Sequence, residues 1–263
     1  MVVKLGDIVS SLVETAPPVE LKEVSNDLNS ILEGNAKLTV IDSLETFVNS
    51  KGGVFSDKYI ASIYNKVDHS SKYVDYVNKK AFNIDVTSSK AIDFEDFDPQ
   101  ISYPDYFDSL QEKLSKYGED HYPSKYAFTI IPKEEETHII LVGQRLNLSN
   151  FYSGRWYSHY VIHDDTLSEL VEIDIHYYEE GNVRLNFKDE KQVKLTLIDA
   201  SAIVNAIDKF EDDKTKQIVE NFNELNHKQF KSLRRLLPVT RSKVNWGKAI
   251  GNYRLGSDVV NNK

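Results

Sequence analysis

The chain has 263 residues, enough for one large domain or two small ones, and its 40% hydrophobic and 28% charged residues are the balance of an ordinary soluble protein. A formal charge of −9 argues against a general nucleic-acid coat, and no apolar run approaches the ~20 residues of a membrane-spanning helix. There is no cysteine, which excludes disulfides, thiolate metal sites and thiol nucleophiles, and no secretory signal is recognisable at the start.

In chain order, Leu5, Ile8, Val9, Leu12 and Val13 form an apolar stripe at helical spacing, which Ala16-Pro17-Pro18 ends. A second stripe, Leu21, Val24, Leu28, Ile31 and Leu32, closes near Gly34. A third, Leu38, Ile41, Leu44, Glu45 and Val48, closes before Gly52-Gly53. All three read as core positions of a short antiparallel helical stack over residues 1–50. Residues 51–124 form a small β region followed by a helix. Its Ile92–Asp98 run alternates like a single strand, and its acidic cluster lacks calcium-loop spacing and reads as a solvated edge. The helix follows Tyr103-Pro104, carries Phe107, Leu110, Leu114 and Tyr117 on one face, and is expected to stop at Gly118.

Residues 125–198 read as an antiparallel sheet of five or six strands. Lys125–Ile131 and Thr137–Leu146 form a hairpin, and a meander follows. In the meander Tyr152, Trp156, Tyr160 and Ile162 share one parity and Ser153, Arg155, His159 and His163 the other. Val171, Ile173, Ile175 and Tyr177 continue the pattern, as do Val183, Leu185 and Phe187 and then Val193, Leu195 and Leu197. The expectation is one strongly apolar face. Residues 199–226 form a long helix capped at Asp199-Ala200-Ser201. Its stripe of Ile203, Ile207, Phe210, Ile218, Phe222 and Leu225 is interrupted at Lys214. About 37 Å of helix crosses a wide sheet, and both the helix length and the sheet's unpaired edges call for a partner chain.

Charge is uneven. From Leu225 onward nine lysines and arginines face the lone Asp258, about +8, which leaves −17 for the rest of a chain whose total is −9. Within residues 227–263, Lys228, Lys231, Arg234 and Arg235 fall in one sector of a short helix with Phe230, Leu233, Leu236 and Leu237 opposite, and Pro238 ends it. A core-facing stripe with a solvated basic back is the plain reading, but the acidic body and the further run through Arg241 and Lys243 favour an acidic partner. Trp246, Ala249, Ile250 and Tyr253 form one face of a two-turn helix weakened by Gly247 and Gly251, which would order on binding.

No phosphate loop, dinucleotide fingerprint or metalloprotease helix occurs. His159 and His163 share a strand face, with His176 conceivably near. Surface or interface imidazoles are favoured over a metal site, and no enzyme reading has residues to carry it.

Three separated segments carry a resemblance: Phe151–Trp156, Ile175–Val183 and Phe230–Pro238, continued by Val239–Trp246 and by Ala16–Pro18. They resemble the hallmark segments of the F-actin-capping protein alpha subunit, with Glu180 where that family usually has Asp. The resemblance implies an α+β fold: an N-terminal antiparallel helical stalk, a small β region, an antiparallel sheet meander covered by a long helix, and a C-terminal amphipathic tentacle. It further implies an obligate heterodimer with a capping protein beta subunit, sharing one continuous sheet, that binds the actin filament barbed end without turnover and without a cofactor. Lys231, Arg235 and Arg241 match basic actin-contacting positions of the family. Lys228, Arg234 and Lys243 extend that charge, and Trp246 and Ile250 would add apolar anchorage. Anionic phosphoinositides would compete for the same basic face, in a cytoplasmic, cytoskeletal setting. The alternatives from other classes are a nucleic-acid-binding module and a scaffold, each acting through the basic tail.

Overall fold

Alternation of side chains across a pleated backbone builds the centre of the molecule. The computed structural model describes residues 4–122, 124–178 and 182–228. Three helices come first, α1 (Leu5–Glu14), α2 (Leu21–Ile31) and α3 (Ala36–Lys51). A small lobe follows, with the hairpin β1 (Gly53–Phe55) and β2 (Tyr59–Ala61), a 3-10 turn at Ile63–Asn65, and the three-stranded sheet β3 (Tyr73–Asp75), β4 (Lys80–Asp85) and β5 (Lys90–Asp96). After α4 (Phe107–His121) come β6 (Lys125–Pro132), β7 (Glu136–Asn147), β8 (Tyr152–His163), β9 (Thr166–Tyr177) and β10 (Val183–Lys194), and then α5 (Ala200–Lys228). The five long strands form one antiparallel sheet in the order β10-β9-β8-β7-β6, so every neighbour in sequence is a neighbour in space. The expected α+β class and the sheet-under-helix arrangement hold. The tentacle lies outside the described residues.

The expectation of a single apolar face needs correction. One face packs under α4 and α5 through Trp156, Tyr160, Ile139, Leu141, Val171 and Ile175, all within 1% of full burial. The opposite face also buries a cluster, Ile131, Ile140, Val142 and Tyr157, beneath Ile60 and Tyr64 of the small lobe. In β8, residues of both parities are therefore interior, because a layer covers each side. Nor do Val183–Phe187 and Val193–Leu197 form separate strands. β10 runs unbroken through the charged stretch between them, and its register with β9 is continuous over twelve pairs. As an edge strand it can keep charges in solvent while its backbone stays paired.

Two helical expectations also change. Gly118 does not stop α4. It is buried within the helix, where a Cβ would lie 2.1 Å from the Tyr126 ring, so the glycine allows close approach of helix and sheet. In the stalk, Val9, Val13, Val40, Leu44 and Val48 are buried, but Leu5, Ile8 and Leu12 are each 46% exposed, Leu38 58% and Ile31 74%. Three short helices make a layer too thin to cover both sides of each stripe. Part of the apolar pattern therefore faces outward. In the Ile92–Asp98 segment the carboxylates are exposed as read, and one pairs with Lys80. The strand ends at Asp96, however, and Ile92 and Phe94 are exposed too, so the expected alternation between two faces is absent.

Candidate functional site

Lys231, Arg234, Arg235, Arg241, Lys243, Trp246 and Ile250 lie outside the described residues. Lys228 is the last residue of α5. What can be built from the residues upward is the platform that positions the start of the tail, and its central part is the mounting of α5.

Asp199 opens the helix by accepting the Ala202 amide at 2.8 Å, as a cap should. Ile203, Ile207, Phe210 and Ile218 then seat on the sheet. Beside Phe210 stands a residue the apolar pattern did not flag: Glu211, fully buried. Its Oε1 accepts the hydroxyls of Ser158 at 2.8 Å and Tyr160 at 2.7 Å, and its Oε2 accepts those of Tyr117 at 2.8 Å and Tyr122 at 2.7 Å. Trp156 Nε1 donates to the Ser158 hydroxyl at 2.8 Å, extending the network. Four donors match the four lone-pair sites of a carboxylate, which meets the condition for burying one. Burial and the Glu211 charge hold the Tyr122 and Tyr160 phenols well above the ordinary phenol range. The network ties α5, α4 and β8 at one point.

One turn on, Lys214 is no flaw in the stripe. It pairs with Asp189 of β10, and its ammonium lies 5.2 Å from the Phe210 ring centre. Beyond Ile218 no described side chain of α5 is buried. α5 continues for ten residues, about 15 Å, past Ile218. It ends at Lys228, where the basic run starts.

The stalk is fixed to the opposite face of the sheet by two arginines. Arg155 of β8 donates through Nη2 to the carbonyls of Lys51 at 2.5 Å and Gly52 at 2.8 Å, at the C-terminus of α3. Arg184 of β10 donates to the carbonyls of Thr15 at 2.6 Å and Ala16 at 3.1 Å, at the C-terminus of α1, while holding Asp174 in a bidentate pair. A helix C-terminus carries unpaired carbonyls and the negative end of the dipole, so a guanidinium there satisfies both. Gly52, at φ 68°, supplies the left-handed turn that Arg155 caps, with the Tyr157 ring 3.1 Å from where a Cβ would sit. A groove of about 1130 Å³ runs between stalk and sheet past both arginines.

The histidine reading needs one correction, at His159. His159 is buried and pairs with His138, its Nε2 2.9 Å from the His138 Nδ1, whereas His163 is exposed. His176 bonds Asn182 near the far end of the strand. Sequence reading missed His138. The strand register could have found it, since His138 pairs with Val161 and shares the His159 face. No group of three metal-ligating side chains converges among the described residues.

Comparison with known proteins decides the family. The family model of the F-actin capping protein alpha subunit matches residues 9–258. The chain belongs to the F-actin capping protein alpha subunit family. Among members, it is 55% identical over 262 residues to the F-actin-capping protein subunit alpha of Debaryomyces hansenii, covering 99% of this chain and 98% of that one. It is 45% identical over 281 residues to that of Candida albicans, covering both chains fully, and 35% identical to that of Saccharomyces cerevisiae, covering 99% and 98%. The solved structure of a homodimeric actin capping protein alpha subunit from Plasmodium berghei has the same fold, with a TM-score of 0.71 at 20% identity over 90% of this chain and 98% of that one. In this alpha-subunit family member, Arg155 of the hallmark segment caps a helix from a half-buried position, and Trp156 is a core residue.

Proposed function

We propose that this chain is the alpha subunit of a heterodimer that caps the barbed ends of actin filaments, by binding and without catalysis. The observation that carries the reading is the family match across residues 9–258, which includes the basic segment. Two features of the fold support it. The end of α5 leads directly into the basic run, and the outer edge of β10 has no partner strand among the described residues. A beta subunit would add its strands there, pack against α5, and cover Leu5, Ile8 and Leu12.

In this reading Lys228, Lys231, Arg234, Arg235, Arg241 and Lys243 attract the acidic filament end, and Trp246 and Ile250 anchor the tail in an apolar groove. Anionic phosphoinositides compete for the same charges. The setting is the cytoplasmic actin cytoskeleton. The nucleic-acid and scaffold readings gain no support from the family match.

The test is co-expression with a capping beta subunit, followed by seeded actin elongation. The pair should co-purify at one-to-one stoichiometry and stop elongation at barbed ends. The chain expressed alone should aggregate. A monodisperse, cooperatively unfolding monomer, or a heterodimer that leaves elongation unchanged, would overturn the proposal.

A further inference from the structure

On the stalk side of the sheet, away from the Glu211 network, three titratable side chains stand in a row. Glu136 Oε1 lies 2.7 Å from His138 Nε2, and His138 Nδ1 lies 2.9 Å from His159 Nε2. The two imidazoles are stacked within 10° of parallel, and both are buried, 4% and 6% exposed. Tyr64 of the 3-10 turn lies over the pair, its ring centre 4.9 Å from that of His138 and 4.3 Å from that of His159. Lys133, in the β6–β7 turn, stands over the Tyr64 ring, 5.8 Å from its centre. Leu170, opposite His159 on β9, adds no charge. Glu136 and Lys133, with His163 acting on Glu136, are thus the charged or titratable neighbours of the pair, together with the Tyr64 phenol.

We propose that Glu136, His138 and His159 form a proton-operated clasp that holds the small lobe to the sheet through Tyr64. The hydrogen bonds have one self-consistent order when both rings are neutral. His138 donates through Nε2 to Glu136 and accepts at Nδ1 the Nε2 proton of His159. One added proton is accommodated on the outer nitrogen of His159. A second places two N–H groups face to face across 2.9 Å, between two cations on buried rings. The bond then opens. The pair must separate, and Tyr64 loses the surface it rests on.

The Tyr64 turn is not free to follow passively. Asn65 is bonded to the carbonyls of Ile60 and Val74 at 2.8 and 2.9 Å, and the Ser62–Asn65 capping box closes the turn. Displacing Tyr64 therefore moves β2 as a unit, and β2 carries Ile60 into the apolar cluster on the sheet. Burial holds both imidazoles below their ordinary range, His159 at about 4, with the His138 ring adding to the effect on His159. For a base held low in the folded state, the contribution to stability is full above the unfolded value near 6.5. It is lost as the pH falls toward the folded value.

The experiment is hydrogen exchange by mass spectrometry on the full chain, in complex with the beta subunit that the functional proposal calls for. Protection factors are compared at about pH 7.5 and about pH 4.5, corrected for intrinsic exchange. Protection in residues 59–65 should fall more than about tenfold in acid, while β7 and β8 keep theirs. In His159→Gln, which can still donate to His138 but cannot titrate, the fall should shrink to about twofold or less. If that variant does not fold, His138→Gln is read in the same way. Equal falls in wild type and variant, or no fall in wild type, would overturn the clasp. Neither outcome bears on capping, which the elongation assay reads separately.

Discussion

The Nη2 of Arg155 stands 2.8 Å from the carbonyl oxygen of Gly52, joining the middle of the sheet to the end of a stalk helix. Arg184 repeats the device one helix away, on Thr15 and Ala16. Two strands thus neutralise two helix ends, and the stalk is oriented by charge as well as by packing.

Replacing Arg155 with alanine should cost about 1–3 kcal/mol, the value of charge-assisted bonds to orphan carbonyls at a helix end. Chemical denaturation of the heterodimer checks this. Barbed-end capping by the surviving dimers should be unchanged, because Arg155 lies on the face that holds the stalk. Normal stability with lost capping would place Arg155 in the actin contact instead.

Glu211→Ala strands four buried hydroxyls and should cost about 3–5 kcal/mol, enough to threaten folding. Glu211→Gln keeps the shape but brings an amide donor toward two hydroxyls that already donate, so a smaller loss of about 1–3 kcal/mol is expected. Urea midpoints of the two variants give the comparison. A glutamine variant as weak as the alanine one would mean that shape, and not donor matching, is immaterial there.

Glu169 gives a pH dependence of opposite sign to the histidine pair. It is 3% exposed on the α5 side of β9, neither carboxylate oxygen has a hydrogen-bond partner, and burial raises its pKa from 4.5 to about 7. Between those values the folded state binds the extra proton, so its contribution is present below about pH 4.5 and lost as the pH rises through 7. Glu169→Gln should therefore stabilise the protein by on the order of 2–3 kcal/mol at pH 8 and little at pH 5. Thermal unfolding at the two pH values is the measurement. A gain of equal size at both would show that Glu169 is already ionised when folded.

The tail should divide its labour between rates. Lys231→Ala with Arg235→Ala removes long-range attraction, which acts before contact and is screened over about 8 Å at physiological salt, so association should slow and lose salt dependence. Trp246→Ala removes apolar anchorage and should mainly speed dissociation. Barbed-end rates at two salt concentrations separate the two. A charge variant altered only in dissociation, with its salt dependence intact, would end the steering argument.

The sheet and the long helix were legible because periods of two and near four survive in the sequence, from Tyr152 to Ile162 and from Ile203 to Ile218. What stayed hidden was polar chemistry between distant segments. Glu211 sits next to a core phenylalanine, but a carboxylate in a helix reads as solvent-facing, and its donors are 51 to 94 positions away. Arg184 meets carbonyls 168 and 169 positions back, a contact no local pattern encodes. The second buried face of β8 was masked for the same reason, since the lobe that covers it comes from a weakly patterned region. The basic site residues, Lys228 included, are proposals drawn from the resemblance and the charge run.

Because both parities of β8 are interior, the strand has no spare side to turn outward. Inserting or deleting one residue between Tyr152 and His163 would carry Trp156 to the stalk side and Arg155 under α5, and would take Ser158 and Tyr160 away from Glu211. The same length change in β10 would take Arg184 away from Asp174, Thr15 and Ala16, and Asp189 away from Lys214. Relatives of this chain should therefore keep the lengths of both strands fixed, and a fusion or tag belongs in a connection between strands and not within one.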